Sequence, residues 1–163
     1  MAIFSFPNPV DEVSARLVAG GVVLLCACAV ALQQPWLIVV IAYGFLARVL
    51  TGPTLSPLGH LVTRVVRPML PIAARPVPGP PKRFAQGIGA VLSATAVLLA
   101  FGLDRPGAAH AVLGLIVVAA TLESAFGLCL GCVLFHRLAR LGLIPEAVCA
   151  ECTDISLRSG ARR

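Results

Sequence analysis

Long apolar runs alternate with short polar breaks along most of this chain. The first run covers residues 13–34 and the second covers residues 36–50, with a proline between them. Two further runs cover residues 84–103 and 108–135, and a small polar turn separates them. An α-helix needs about 20 mainly apolar residues to cross a bilayer. The pattern therefore predicts an all-α, polytopic membrane protein with four transmembrane helices.

The segment between the second and third runs has the spacing of an amphipathic helix. Over residues 56–70 apolar side chains recur every three or four positions, and His60, Arg64 and Arg67 fall on the opposite face. Such a helix either lies flat on the cytoplasmic leaflet or packs against the end of the bundle. We therefore assign residues 1–140 to the transmembrane domain and the more polar residues 141–163 to a cytoplasmic tail.

The composition agrees with a membrane protein and excludes an ordinary soluble domain. Of 163 residues, 58% are hydrophobic and only 12% are charged, which is too few to cover a water-exposed surface. The net charge is +6, but the basic residues lie between or after the apolar runs. This distribution is typical of membrane topology rather than of a nucleic-acid-binding surface.

The basic residues also predict the orientation. If the N-terminus is inside, 12 of the 13 Lys and Arg residues face the cytoplasm, and Arg105 alone lies in an outer loop. Cytoplasmic loops carry an excess of Lys and Arg, so both termini are expected in the cytoplasm. Because the second run is short, we expect Arg48 to extend towards the cytoplasmic surface.

Two Cys-x-x-Cys pairs are the most informative candidates for chemistry. Cys129 and Cys132 lie near the end of the fourth run, and Cys149 and Cys152 lie in the tail. The spacing C-x2-C-x16-C-x2-C falls in the range of four-cysteine zinc sites. The same residues could form a thiol redox or sulfur relay, in which two dithiols exchange through a mixed disulfide. They could also be inert, small hydrophobic residues.

The predicted helix places the first pair in an apolar setting near a helix C-terminus. Reactive pairs of this kind usually lie at a helix N-terminus, where the dipole favours thiolate. Glu123 is the acidic residue well inside an apolar run, and on a continuous helix Cys129 lies about 120° around from it. We therefore expect Glu123 to pair with Arg16 or Arg48, or to hydrogen-bond with Tyr43, rather than to accept a proton from these thiols.

The other two cysteines, Cys26 and Cys28, lie in the first run. They are about 200° apart on a helix, so they cannot act as one chelating pair. We interpret them as packing residues, because small side chains suit helix interfaces in lipid.

Four segments of the chain together resemble the bacterial membrane proteins of the family DUF4395. They are NPVDEVSARLVAG, RVLTGPTLSPLGHL, GPPKRFAQGIG and GLCLGC, and the resemblance covers residues 8–138. It implies a bacterial plasma membrane protein but brings no established activity. It also implies that Lys82 and Arg83, with their neighbours in PPKRFAQ, and the pair Cys129 and Cys132 are more than incidental. Cys149 and Cys152 lie beyond the matched part.

The leading functional hypothesis is a cytoplasm-facing dithiol site. It would serve thiol redox or sulfur relay with a soluble thioredoxin-like or rhodanese-like partner, using Cys129 and Cys132 with Cys149 and Cys152. The alternative is a structural zinc site, or a protein that handles soft metal ions, built from the same four cysteines. No hydrolase or transferase motif is visible in the sequence.

Overall fold

The computed structural model describes residues 6–144, and most of these residues are helical. The long helices are α1 (Glu12–Ala31), α2 (Trp36–Thr51), α5 (Gly79–Val97) and α6 (Pro106–Phe126), and α5 continues through a π-helical turn at Leu98–Gly102. The shorter helices are α3 (Pro57–Leu61), α4 (Arg67–Met69) and α7 (Leu130–Arg140), and a π-helical turn at Val62–Val66 joins α3 to α4. Strand β1 (Val10–Asp11) pairs antiparallel with β2 (Pro76–Val77). The all-α prediction is therefore confirmed in its main part.

Three helices within the described residues are long and apolar enough to cross a membrane. They are Glu12–Ala31, Gly79–Gly102 and Pro106–Phe126. The second predicted span is a shorter apolar helix of 16 residues, Trp36–Thr51. The apolar helices are compatible with a membrane protein, and the count of four spans stays a prediction.

The long helices form two antiparallel hairpins that pack side by side. Helix α2 packs against α5, and α1 packs against α6. Buried apolar side chains such as Val22, Ile38 and Leu113 fill the centre of this core. Gly89 permits the close approach of α5 to α2, because a Cβ atom there would overlap the ring of Phe45.

Polar contacts tie the helix ends together at one end of the bundle. Arg16 of α1 donates hydrogen bonds to the carbonyl oxygens of Ser124 and Ala125, near the end of α6, at 3.1 Å and 2.8 Å. Asp11 caps α1 through the backbone N–H groups of its first turn and accepts a hydrogen bond from the Arg67 guanidinium. The start of α1 and the end of α6 therefore lie at the same end of the bundle.

The amphipathic segment is helical over Pro57–Met69, close to the predicted 56–70. Ser56 caps it by accepting from the backbone N–H of Gly59 at 3.2 Å. Val62 is buried, whereas Leu61 and Met69 are exposed. Part of the apolar face therefore remains uncovered by protein, and its placement on the cytoplasmic leaflet stays a prediction.

The fourth predicted span, residues 108–135, is wrong as a single helix. Helix α6 ends at Phe126, because Gly127 adopts a left-handed conformation with φ of 70°. The N–H groups of Gly127 and Leu128 donate to the carbonyl oxygens of Glu123 and Leu122, which closes the helix end. Cys129 is then extended, and α7 begins at Leu130. The apolar composition continues across this turn, so hydropathy alone did not register it.

Candidate functional site

The break after α6 places Cys129 and Cys132 at the N-terminus of α7. Cys129 is the N-cap residue, and its Sγ accepts from the backbone N–H of Cys132 at 3.4 Å. The two Sγ atoms are 2.7 Å apart, and neither forms a disulfide within the described residues. The prediction that this pair lies near a helix C-terminus is wrong. The positive end of the α7 dipole now favours a thiolate at Cys129.

The two thiols have pKa values shifted in opposite directions. The hydrogen bond from Cys132 lowers the pKa of Cys129 and outweighs the burial that acts to raise it. The same hydrogen bond raises the pKa of Cys132, because it stabilises the protonated donor, and burial raises it further. Cys129 is 7% exposed, whereas Cys132 is more accessible. When the pair loses one proton, the negative charge is therefore favoured on Cys129 and the remaining proton on Cys132.

A largely buried ion pair lies beside the thiols. The Nζ atom of Lys82, in the first turn of α5, is 2.6 Å from Oε1 of Glu123, in the last turn of α6. Their side chains are only 10% and 14% exposed. The prediction that Glu123 pairs with Arg16, Arg48 or Tyr43 is therefore wrong. Lys82 is its ion-pair partner, because the start of α5 and the end of α6 meet here.

The three expected partners of Glu123 have other hydrogen bonds. Arg16 donates to backbone carbonyls of α6, and the Tyr43 hydroxyl donates to the carbonyl oxygen of Leu55 at 3.2 Å. Arg48 donates to Oε1 of Gln86 at 2.9 Å and to the Ser56 hydroxyl at 3.1 Å. Each of these three side chains thus donates its hydrogen bonds to acceptors other than Glu123.

Arg48 does not extend to the surface as expected. It is 6% exposed, and its guanidinium lies 4.6 Å from the centre of the Phe45 ring. The polar partners on α5 and before α3 make this burial possible, because a buried guanidinium needs hydrogen-bond acceptors. Arg83, by contrast, is exposed and donates to the carbonyl oxygen of Val49 in the last turn of α2 at 3.0 Å.

The charges of the ion pair act on Cys129 in opposite directions. The Glu123 carboxylate acts to raise the pKa of Cys129, and the Lys82 ammonium acts to lower it by a smaller amount. The hydrogen bond from Cys132 has the largest effect on this pKa, and it lowers the pKa. The neighbouring thiol, rather than the ion pair, therefore favours a thiolate at Cys129.

Cys129 lies between two cavities. The first has a volume of about 540 Å³ and is lined by both thiols, by Lys82 and by basic side chains of α7, including Arg137 and Arg140. The second has a volume of about 410 Å³, is lined mainly by apolar side chains of the bundle, and reaches Cys129 and Glu123. Glu123 and Cys129 thus line the same cavity, although a continuous helix would have separated them.

The family comparison matches this part of the chain. A family model described as a domain of unknown function (DUF4395) matches residues 10–140. The chain belongs to the DUF4395 family. The matched region of this DUF4395 protein includes the ion pair and the dithiol, and it ends before Cys149. Comparison with curated proteins and comparison with solved structures each gave no match.

The four-cysteine site of this DUF4395 protein stays a prediction. Cys149 and Cys152 lie outside the described residues 6–144. Within that range no group of three or more His, Cys, Asp or Glu side chains is close enough to hold a metal ion. Cys26 and Cys28 lie on different sides of α1, as expected, because Cys26 is fully buried and Cys28 is exposed.

Two further residues shape the DUF4395 site: the family resemblance had pointed to Gln86, whereas sequence reasoning missed Gly131. Gln86 accepts from Arg48, and Gly131 packs against Ala85, where a Cβ atom would lie 2.5 Å from the Ala85 Cβ. Both were visible only as part of the family-like segments PPKRFAQ and GLCLGC. The signal for the helix break was Gly127, two residues before the first cysteine of the pair.

Proposed function

We propose that this DUF4395 protein is a membrane thiol oxidoreductase whose Cys129–Cys132 dithiol exchanges with a soluble thioredoxin-like protein. The observation that carries the proposal is the contact of the two Sγ atoms at 2.7 Å at the start of α7. A disulfide needs the sulfurs at about 2.05 Å, so only a small movement separates this contact from a bond. The lowered pKa of Cys129 makes its sulfur the better leaving group in such an exchange.

The proposed setting is the bacterial plasma membrane, with helices α1, α2, α5 and α6 as four spans and both termini cytoplasmic. Helix α2 is about 24 Å long, at ~1.5 Å per residue, so the bilayer thins locally around it. The joined ends of α1 and α6 and the basic residues of α7 lie at one end of the bundle, which supports the orientation. A reporter fused after Arg163 should be active only in its cytoplasmic form.

In the exchange the two cysteines have different roles. A thiolate of the reduced partner attacks the more accessible Cys132 sulfur of the oxidised chain, and Cys129 leaves as the thiolate. A thiol of lower pKa is the better leaving group, and the pKa of Cys129 is the lowered one. The partner's second thiolate then attacks its own sulfur in the mixed disulfide and releases Cys132. The partner is oxidised to a disulfide, and the chain is reduced to the dithiol.

Sulfur relay with a rhodanese-like partner fits this geometry less well. A persulfide formed on either cysteine would have the other thiol beside it. That thiol would attack the inner sulfur, form the Cys129–Cys132 disulfide and expel hydrosulfide. The close pair therefore favours electron exchange over the storage of sulfane sulfur.

The test uses the purified, oxidised full chain and reduced thioredoxin. Cys28→Ser, an exposed cysteine on α1, is the matched control. We expect the wild type and Cys28→Ser to oxidise thioredoxin, and Cys129→Ser and Cys132→Ser to be inactive. A thioredoxin that lacks its resolving cysteine should be trapped on Cys132, as read by peptide mapping. An intact Cys129–Cys132 disulfide that leaves thioredoxin reduced would defeat the proposal.

A structural zinc site remains the second candidate, supported by the spacing of Cys129, Cys132, Cys149 and Cys152. Metal content of the chain purified under anaerobic conditions separates the two functions. One zinc per chain, lost equally in Cys129→Ser and Cys149→Ser, would support the metal site and contradict the exchange. A chain that is purified without metal and whose thiols cycle with thioredoxin would exclude the zinc site.

A further inference from the structure

The second cavity has the form of a site entered from lipid. It lies among α1, α2, α5, α6 and α7, inside the apolar part of the bundle. At its edge the apolar side chains of Leu115, Val118 and Leu134 are about half exposed. In a bilayer these side chains face hydrocarbon, so a molecule dissolved in the membrane can reach the cavity without crossing water.

The inner wall of this cavity is polar at one place. Among its described lining residues the side chains that can hydrogen-bond or ionise are Gln86, Glu123 and Cys129, and they come from three different segments. A pocket that is mainly apolar with a few convergent polar groups is the usual form of a small-molecule site. The residue that the two cavities share, among these three, is Cys129.

We propose that this cavity binds the ring of a membrane quinone, to which the Cys129–Cys132 dithiol passes two electrons. The proposal rests on the thiol exchange proposed above and names its electron acceptor. A quinone has an apolar body that dissolves in the bilayer and two carbonyl oxygens that accept hydrogen bonds. Gln86 lines this cavity, and because its Oε1 accepts from Arg48, its amide nitrogen is the atom left to donate to a carbonyl oxygen.

A quinone matches the dithiol in the number of electrons and protons exchanged. Oxidation of Cys129 and Cys132 to a disulfide releases two electrons together, and a quinone takes up two electrons and two protons. An S–S bond forms, and the quinone becomes the quinol. The dithiol gives up its two protons as the S–S bond forms, and the quinone takes up two protons, so dithiol and quinone are converted into disulfide and quinol with atoms and electrons balanced. The quinol then returns to the bilayer.

The arrangement separates the two reaction partners. The more accessible Cys132 lines the first, basic cavity, where the soluble partner attacks, whereas Cys129 also lines the second, apolar cavity. Electrons therefore enter from the cytoplasmic side and leave into the membrane through one pair of sulfurs. A single dithiol can serve both partners because they approach from different sides.

The experiment uses the reduced full chain in detergent and decyl-ubiquinone under anaerobic conditions. This probe has a fully substituted ring, which leaves no free position for simple thiol addition. We expect about one quinol per disulfide formed, measured by ultraviolet absorbance and by thiol counting. Cys129→Ser and Cys132→Ser should form no quinol, and Cys28→Ser should behave as the wild type.

A cavity-filling variant tests the place of binding. Ala119 lines the cavity, so Ala119→Leu should raise the quinone concentration for half-maximal rate about tenfold. Ala111→Leu, on the exposed surface of the same helix, is the matched control and should leave it unchanged. Both variants should oxidise thioredoxin at the wild-type rate, which shows that the fold and the dithiol are intact.

Four outcomes would overturn the inference. The thiols could stay reduced when quinone is added and still exchange with thioredoxin. In that case the proposed function would stand, and the assignment of a quinone as electron acceptor would be wrong. Quinone could bind without being reduced, which would make the cavity a lipid site. Quinol formation that is insensitive to Ala119→Leu would place the reaction elsewhere. Failure of thioredoxin exchange itself would remove the proposed function and the inference together.

Discussion

Lys82 of α5 and Glu123 of α6 form an ion pair at 2.6 Å, and this pair joins two helix ends beside the dithiol. Each partner is costly to bury alone, because an uncompensated charge would face a low dielectric. The pair therefore fixes the position of the α6 end, from which the turn at Gly127 leads directly into Cys129.

The ion pair predicts a strong coupling between its two residues. Lys82→Met or Glu123→Leu alone should lower the free energy of unfolding by about 3–5 kcal/mol, because each leaves a buried charge unpaired. The double variant should lose much less, since both charges are gone. Chemical unfolding in detergent micelles measures all three. Additive losses in the double variant would show that the two residues do not interact.

The hydrogen bond between the thiols predicts the pH dependence of Cys129 alkylation. In the wild type the iodoacetamide reaction should rise at a pH below the ordinary thiol value, because Cys132 stabilises the thiolate. Cys132→Ala removes the donor, so the midpoint should move to higher pH. Cys132→Ser keeps a donor and is the matched control. Mass spectrometry of the peptide containing Cys129 gives the rates, and equal midpoints in the wild type and Cys132→Ala would contradict the assignment.

Asp11 predicts a loss of stability in acid. Burial acts to raise its pKa, but hydrogen bonds from Arg67, the backbone of Arg75 and Ser14 lower it to about 2. Because the folded pKa lies below the ordinary value of 3.8, the stabilisation is present above about pH 4 and is lost as the pH falls towards 2. Asp11→Asn should be less stable than the wild type at pH 7 and equal to it near pH 2.

Thermal unfolding in detergent across this pH range measures the difference between the wild type and Asp11→Asn. Glu12→Gln, at the neighbouring position in the first turn of α1, serves as the control. Its stability should not approach that of the wild type in the same way as the pH falls towards 2. A constant difference from pH 7 to pH 2 would mean that Asp11 does not act through its charge.

The close packing of α7 against α5 at Gly131 predicts the effect of adding a methyl group there. In Gly131→Ala the new Cβ would lie 2.5 Å from the Ala85 Cβ and 2.6 Å from its Cα, so α7 must move away from α5. We expect a loss of about 1–3 kcal/mol and faster reaction of Cys129 with a bulky maleimide. Gly114→Ala, where the Cβ meets nothing within 4 Å, should instead be neutral or more stable by about 0.5–1 kcal/mol. Unchanged maleimide rates in Gly131→Ala would contradict the close packing.

The pattern of residue types determined the main elements of this protein. The apolar runs at residues 13–34 and 84–103 correspond to α1 and α5, and the amphipathic spacing located the helix at Pro57–Met69. These predictions succeed because helix formation and burial in lipid depend on side chains that are close together in the chain. The same reasoning placed Cys26 and Cys28 on different sides of α1.

Only the tertiary structure decided the site. A hydropathy pattern averages over neighbouring residues, so it does not reveal the turn at Gly127. Because of that turn, the dithiol lies at the N-terminus of α7 and not near the C-terminus of a longer helix. The partners of Glu123 and Arg48 lie 41 and 38 positions away, on α5. Such pairings depend on which helix ends meet when the hairpins pack, and that is a property of the whole bundle rather than of any local spacing.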